Sequence, residues 1–347
     1  MTDAAALLLM AGVAGAGGHV GVLTTDRQIF RRDGEPWLWL GCSQFPLCSI
    51  FEHQGPAAVD RILDAYPGLR VPRVWDYVGS GWGARAWNAS PVSCWIDFLG
   101  YLRDRGLYCN RTALTDDDPA RLEPAKRTIE AITAAGCDNV LHECGNEPET
   151  HKAIDTHALI GVMQASGRLW STGNYENSHH WRGTHGLYHP ARTTDFARRA
   201  HDAVEYFHGG GPNNPDEPAC RVPWVNDEPA KLQDVPRDWV AWRSHIAASF
   251  LFGSGFTMHS ETGKFGELPT DDERTLWSLA LEVLGQIAPD AALGAYRRID
   301  AEHEPGQTAL GRTYVIGNYM VRCQQRGTAS PEAGWRPLDD VGVLFTR

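Results

Sequence analysis

The stretch Asn139-Val-Leu-His-Glu-Cys-Gly-Asn-Glu-Pro-Glu-Thr150 joins an apolar, β-prone run to an abrupt end at a proline. Proline cannot donate a hydrogen bond to a neighbouring strand, so the predicted strand ends near Pro148. Glu147 therefore lies at a strand end, where a carboxylate can face a cavity. Taken alone, the pattern is equally typical of a surface carboxylate in a strand-to-helix loop.

A second strand end of the same kind lies downstream, in Val222-Pro-Trp-Val-Asn-Asp-Glu-Pro229. Here Glu228 precedes Pro229, as Glu147 precedes Pro148. Two glutamates at two strand ends are the pattern from which the functional prediction starts.

Strand-like and helix-like segments alternate along most of the chain. Besides the opening stretch, the predicted strands cover residues 37–43, 69–76, 107–114, 169–175, 204–208, 221–227 and 255–260. Eight strands separated mostly by helices predict a parallel sheet. Their span is near the roughly 250 residues of a (β/α)8 TIM barrel. A doubly wound α/β sheet is the competing fold, but it rarely runs eight near-even units with carboxylates at two strand ends.

The barrel accounts for most of the chain but not for its tail. Residues 1–294 are predicted to form the barrel, with a leader and a hairpin around Asp33-Gly34, a strong turn signal. Residues 295–347 are predicted to form a small β-rich C-terminal appendage that pairs with this hairpin. Residues 176–190 are predicted to be a long loop after strand five, and 204–208 to be strand six.

Composition restricts the class of partner. The net charge is -11 and the pI is near 5.7, which argues against nucleic acid or an anionic membrane. The apolar segment 4–23 lacks a preceding Lys or Arg and is glycine-rich, so it is not a convincing signal peptide or membrane span. We therefore expect a soluble protein of undetermined oligomeric state. The eight cysteines include no CxxC pair and are interpreted mainly as reduced thiols.

Barrel geometry brings the two glutamates together, because active sites lie at the C-terminal ends of the strands. Glu147 and Glu228 would then face each other across one mouth. Glycosidic hydrolysis needs such a pair, with one carboxyl protonated and the other ionised. A separation of about 5–5.5 Å indicates retention of configuration through a covalent intermediate.

Several of these motifs resemble clan A glycoside hydrolases, the (β/α)8 group that includes family 5. Gly145-Asn146-Glu147-Pro148 is similar to the strand-four motif of the clan, and Glu228 to its strand-seven nucleophile. The segment 30–41 resembles the lead-in hairpin and first strand, and Arg73 the strand-two arginine. The resemblance covers roughly residues 30–287 and implies a retaining glycoside hydrolase acting on an oligo- or polysaccharide, without a cofactor.

The resemblance implies a role for each matching residue. Glu147 is the implied general acid/base and Glu228 the nucleophile. Asn146 would hydrogen-bond a sugar hydroxyl, and Arg73 would hold Glu228 ionised. Tyr206 or His208 is the implied aromatic or histidine partner of the nucleophile. Further residues expected to contact the substrate are Trp75, Trp181 and His259.

Alternatives stay open at several positions. Asp227 and Glu261 compete with Glu228 as the nucleophile, because strand seven reads Asn-Asp-Glu-Pro instead of the commoner pattern. Trp75 is as compatible with core packing as with a sugar subsite, and Trp181 could equally be the anchored aromatic residue of a solvated loop. Glu143 shares the parity of Glu147 but lies deeper, so we expect it to be hydrogen-bonded inside the barrel, with Arg111 as a candidate partner.

Two other functions compete with hydrolysis. A catalytically inactive carbohydrate-binding barrel of a larger assembly would not need both glutamates. A metal-dependent hydrolase would need ligand spacing, and the histidines of segment 176–190 show no HExxH or His-x-His pattern with a carboxylate. No metal site is therefore predicted.

Overall fold

A parallel eight-stranded sheet forms the centre of the molecule. Its strands in chain order are β1 Trp39–Ser43, β2 Val71–Trp75, β3 Cys109–Leu114, β4 Val140–Gly145, β5 Trp170–Ser171, β6 Gly186–Tyr188, β7 Trp224–Asn226 and β8 Gly255–Met258. They lie side by side in the order β5-β4-β3-β2-β1-β8-β7-β6, and every neighbouring pair is parallel. The last strand lies beside the first, as in a (β/α)8 barrel, and this confirms the predicted fold class.

The coordinates come from a computed structural model, and they describe most of the barrel. The described residues are 20–26, 29–77, 89–115, 118–146, 156–173, 186–188, 223–227, 232, 239–251, 255–292, 313–316, 319–323 and 341–345. The predicted catalytic pair Glu147 and Glu228 lies just outside them, one residue beyond Asn146 and Asp227.

Helices alternate with the strands. In chain order they are α1 Leu47–Gln54, α2 Pro56–Leu63, α3 Val92–Asp104, α4 Leu122–Ala134, α5 Thr156–Ala165, α6 Trp239–Leu251 and α7 Asp271–Ala292. Helix α2 shows why these segments are helical. It has proline at its first position and buries Val59, Ile62 and Leu63 on one face.

The apolar core has an outer and an inner part because side chains alternate along each strand. Outward-facing residues such as Leu40, Val74 and Phe256 join the main cluster with the surrounding helices. Inward-facing residues at the strand starts, Trp39 and Val71 among them, form a second cluster that closes the N-terminal end of the barrel.

The predicted N-terminal hairpin is confirmed. Strands Ile29–Arg32 and Glu35–Trp37 pair antiparallel across Asp33 and Gly34, whose φ angles are 52° and 87°. Left-handed φ at both central residues is what a two-residue type I′ turn needs. A further strand, Leu23–Asp26, pairs with Ile29–Arg32 and was not predicted.

The prediction of a loop over residues 176–190 was wrong at Gly186–Tyr188. This segment is β6, and it pairs in parallel with β7. It was missed because three residues containing a glycine do not form the apolar, β-branched run by which buried strands are recognised. Residues 204–208, which were predicted to be strand six, lie outside the described part of the chain.

The tail forms a sheet of its own. Strands Thr313–Ile316, Tyr319–Cys323 and Val341–Phe345 pair antiparallel with one another. Among the described residues, these strands pair with none of the hairpin strands, so the predicted pairing with the hairpin was wrong. The last tail strand instead contacts α6. In the described part of the chain, no helix is long and apolar enough to cross a membrane.

Candidate active site

Arg73 lies at the centre of the candidate site. It is the middle residue of β2 and its side chain is fully buried. The guanidinium donates from Nε and Nη2 to the two carboxylate oxygens of Glu143, at 2.9 and 2.5 Å. Nη2 also donates to Asn146 Oδ1 at 3.0 Å, and Nε lies 3.1 Å from Asp227 Oδ2. One buried cation therefore connects β2 with the ends of β4 and β7.

Glu143 is the main anchor of this cation. Besides Arg73, Asn110 Nδ2 donates to its carboxylate at 3.0 Å and Thr112 Oγ1 at 2.6 Å. An ionised carboxylate only accepts hydrogen bonds, so this set of donors fits a charged Glu143. The predicted burial and hydrogen bonding of Glu143 inside the barrel are confirmed.

The suggested partner of Glu143 was wrong. Arg111 lies between Asn110 and Thr112 on β3, so strand alternation turns it to the outer face. There its guanidinium pairs with Asp76 and lies 5.3 Å from the centre of the Trp95 ring. Burial raises the pKa of the Asp76 carboxyl to about 6, although Arg111 acts in the opposite direction.

The alternation of β7 explains how Asp227 reaches Arg73. Asn226 Nδ2 donates to His245 Nε2 at 2.7 Å and to Ser249 Oγ at 2.9 Å, both on α6. Asn226 thus faces outward, whereas Val225 belongs to the inner cluster. Asp227 follows Val225 by two residues and faces inward, where its side chain is fully buried.

An aromatic pair lies beside Arg73 at the mouth. Phe45 and Trp75 stack with ring centres 3.7 Å apart and an angle of 15° between their planes. The guanidinium carbon of Arg73 lies 5.7 and 5.8 Å from the two rings, within cation–π range. His259 completes the group, with its ring 5.9 Å from Phe45 and Nδ1 3.4 Å from Ser43 Oγ.

The structure brings together the described members of the predicted site. Arg73, Asn146, Trp75 and His259 all lie at the C-terminal ends of their strands or just inside them. Glu261, a rival nucleophile, pairs with Lys264 at 2.8 Å and is half-buried beyond β8. The remaining predicted site residues, Glu147, Glu228, Trp181, Tyr206 and His208, lie outside the described residues.

Sequence reasoning missed some members of this group. Asn110 and Thr112 are polar residues at alternate positions of a predicted strand, and this parity could have placed them inside the barrel. Phe45 lies two residues after the end of β1, but a single aromatic residue near a strand end carries no specific signal. Among the described residues, no group of three or more His, Cys, Asp or Glu is placed to hold a metal ion.

Comparison with known proteins gives a fold but no close relative. No family model matches the chain, and no curated protein matches it. A proposed glycoside hydrolase from Bacteroides vulgatus ATCC 8482 superposes with a TM-score of 0.61 at 14% identity, covering 91% of this chain and 69% of that one. The endo-1,4-beta-mannanase from Rhizomucor miehei gives 0.52 at 11% identity, covering 76% and 99%.

A third structure, the beta-glucanase SdGluc5_26A from Saccharophagus degradans, gives a TM-score of 0.51 at 11% identity, covering 75% of this chain and 93% of that one. At such identities the likeness is one of fold. The strand order and these superpositions agree, and the chain has the (β/α)8-barrel fold found in glycoside hydrolases of family 5.

Proposed function

We propose that this protein is a retaining glycoside hydrolase that cleaves O-glycosidic bonds of an oligo- or polysaccharide by double displacement. One observation carries the proposal. Arg73 contacts both Asn146 and Asp227, and these residues directly precede Glu147 and Glu228. The strand ends that precede the two glutamates, at Asn146 and Asp227, therefore both contact the same guanidinium, and this supports the proposal that the glutamates share one mouth.

In the proposed reaction, Glu147 donates its proton to the glycosidic oxygen while Glu228 attacks the anomeric carbon. Water then hydrolyses the glycosyl–enzyme ester, with Glu147 acting as the base. Arg73 is well placed to keep a nearby carboxylate ionised, since an adjacent cation favours the charged form. The stacked Phe45 and Trp75 support this guanidinium from one side.

The burial of Asp227 favours Glu228 as the nucleophile. A nucleophile must reach the anomeric carbon in the open cleft, whereas the Asp227 side chain is fully buried against Arg73. We assign Asp227 the role of holding Arg73 in place, together with Glu143. Glu261 is already paired with Lys264 and lies beyond the end of β8.

The structural neighbours narrow the first substrates to test. Two of them are named as a mannanase and a glucanase, so β-mannans and β-glucans lead the panel, together with aryl glycosides. Wild-type protein is expected to hydrolyse at least one of them, with retained configuration of the first product by proton NMR. Inverted configuration, or no hydrolysis across the panel, would contradict the proposal.

Variants test the assignments on the substrate so identified. Glu147→Gln and Glu228→Gln are each expected to lower kcat by about 10³-fold or more, as loss of a catalytic group does. Glu261→Gln is the matched control and should stay within a few-fold of wild type. Azide should restore turnover of Glu228→Ala, by replacing the missing carboxylate at the anomeric carbon, but not of Asp227→Ala. Azide rescue of Asp227→Ala would move the nucleophile to Asp227.

A further inference from the structure

A pair of cysteines outside the candidate site has the geometry of a redox couple. Cys48 is buried in the first turn of α1, and Cys94 is half-buried in the first turn of α3. Their sulfur atoms lie 3.8 Å apart. A disulfide has an S–S length of about 2.05 Å, so a closure of roughly 2 Å shared by two helix ends would join them.

The two thiols differ in burial and in the direction of their pKa shifts, as the reactive and resolving thiols of a redox couple do. Cys94 is the third residue of α3, whose N-terminus has no side-chain cap. Positive charge at a helix N-terminus favours a thiolate. The hydrogen bond with Cys48 lowers the pKa of the Cys94 thiol, against the effects of burial and of Glu52 and Asp97. Burial raises the pKa of the Cys48 thiol well above its ordinary value.

The other cysteines whose side chains the structure describes lack these properties. Cys42, Cys109, Cys137 and Cys144 are all buried. Burial raises the pKa of the first three thiols, which keeps them protonated and unreactive. The half-exposed thiol with a lowered pKa thus lies next to a second thiol, and this arrangement is typical of redox-sensing cysteines.

We propose that Cys48 and Cys94 form a reversible disulfide when the protein meets a peroxide. The Cys94 thiolate attacks one peroxide oxygen, giving a sulfenic acid on Cys94 and releasing hydroxide. The Cys48 thiol then attacks the sulfenic sulfur, forming the S–S bond and releasing water. Two thiols are oxidised and one hydrogen peroxide is reduced to two waters.

The disulfide would lock one side of the barrel mouth. The bridged residues are 46 positions apart, and the loop between them contains β2 with Arg73 and Trp75. Helix α1 begins two residues after Phe45. The bond therefore joins the segment that follows Phe45 to the segment that follows Trp75, its stacking partner. Restricting a loop of this length in the unfolded chain is expected to lower the unfolding equilibrium constant by roughly a thousandfold.

Peptide mapping tests the proposal in the full-length chain. A Cys220→Ser/Cys323→Ser background leaves the six thiols whose side chains the structure describes. The folded protein is titrated with hydrogen peroxide, unfolded, alkylated and digested. The expected result is a linked pair of Cys48 and Cys94 peptides, lighter by two hydrogens and separated by dithiothreitol. The other four thiols should escape oxidation and be recovered in alkylated form. The midpoint temperature of thermal unfolding should rise by several degrees only in oxidised protein.

Two variants make the mapping decisive. Cys48→Ala should stop at a sulfenic acid on Cys94 that dimedone traps, whereas Cys137→Ala, the matched control, should still form the linked pair. The proposal is overturned if Cys94 proceeds to sulfinic acid without linkage in the background protein, or if the buried thiols react at the same peroxide concentration. Should Cys48→Ala not fold, the peptide map of the background protein decides alone.

Discussion

Two buried glutamates, Glu143 and Glu273, show how this barrel uses the same side chain for different purposes. Glu143 lies inside the barrel and is held by the cation of Arg73 and by two neutral donors. Glu273 lies outside, in the first turn of α7, and its partners among the described residues are the neutral donors of Ser260, Thr262 and Thr270.

The difference separates the candidate site from the scaffold. Thr270 and Glu273 bond to each other's backbone N–H groups, a capping box that begins α7. Through Ser260, the same carboxylate fixes the chain after β8. Glu143 instead holds the guanidinium of Arg73, which contacts the ends of β4 and β7. Changes around Glu143 should therefore reduce both stability and hydrolysis, whereas changes at Glu273 should reduce stability alone.

The largest effect is expected from Arg73→Met. It removes the cation that the buried carboxylates of Glu143 and Asp227 share, and removing one partner of a buried ion pair costs about 3–5 kcal/mol. Urea unfolding measures the loss. Arg73→Lys is the control and should recover part of the stability, because it keeps the charge but not the two-pronged geometry. Equal stability of Arg73→Met and wild type would contradict the central place of this cation.

Gly173→Ala should have the next largest effect. Gly173 has φ of +70°, and an added Cβ would overlap the carbonyl oxygen of Gly145 and approach Glu143 Cγ to 2.9 Å. We expect a loss of about 2–4 kcal/mol from overpacking and backbone strain. Gly106→Ala is matched in backbone, with φ of +75° and no atom near the added Cβ. A similar loss in both variants would show that backbone conformation, and not the crowding at Glu143, sets the effect.

Glu143→Gln keeps the size of the side chain and removes its charge. The charge-assisted bonds to Arg73 weaken, which should lower the free energy of unfolding by about 1.5–3 kcal/mol. Because Arg73 is then free to shift between Asn146 and Asp227, hydrolysis of the substrate identified above should fall by about tenfold or more. Stability and kcat are measured on the same preparation, and an unchanged kcat would remove Glu143 from the account of the site.

Glu273→Gln should have the smallest effect, about 1–2 kcal/mol, with kcat within a few-fold of wild type. Burial alone would raise the pKa of the Glu273 carboxyl, but the hydrogen bonds from Ser260, Thr270 and Thr262 lower it below its ordinary value of 4.5. A lowered folded-state pKa gives stability that is present above about pH 4.5 and lost as pH falls further. The gap between wild type and variant should therefore close in acid, and a constant gap from pH 7 to pH 3 would contradict this.

The sequence predicted what depends on repeated patterns. Strand–helix alternation gave the barrel, Asp33-Gly34 gave the hairpin, and strand parity placed Glu143 inside. Prediction from the sequence failed where few residues carry the signal. Gly186–Tyr188 is too short to show a period, and the partner of Arg111 depends on which face of β3 it occupies. The contact between Arg73 and Asp227 joins distant strands, and only the folded barrel reveals it.

The separation of the Glu147 and Glu228 carboxyl groups tests the central claim most directly. A crystal structure of the wild-type protein, with an inhibitor bound to order the mouth, would measure it. The account predicts both groups at the C-terminal mouth, about 5–5.5 Å apart and near the Arg73 guanidinium. Carboxyl groups more than about 10 Å apart, or at opposite ends of the barrel, would contradict it.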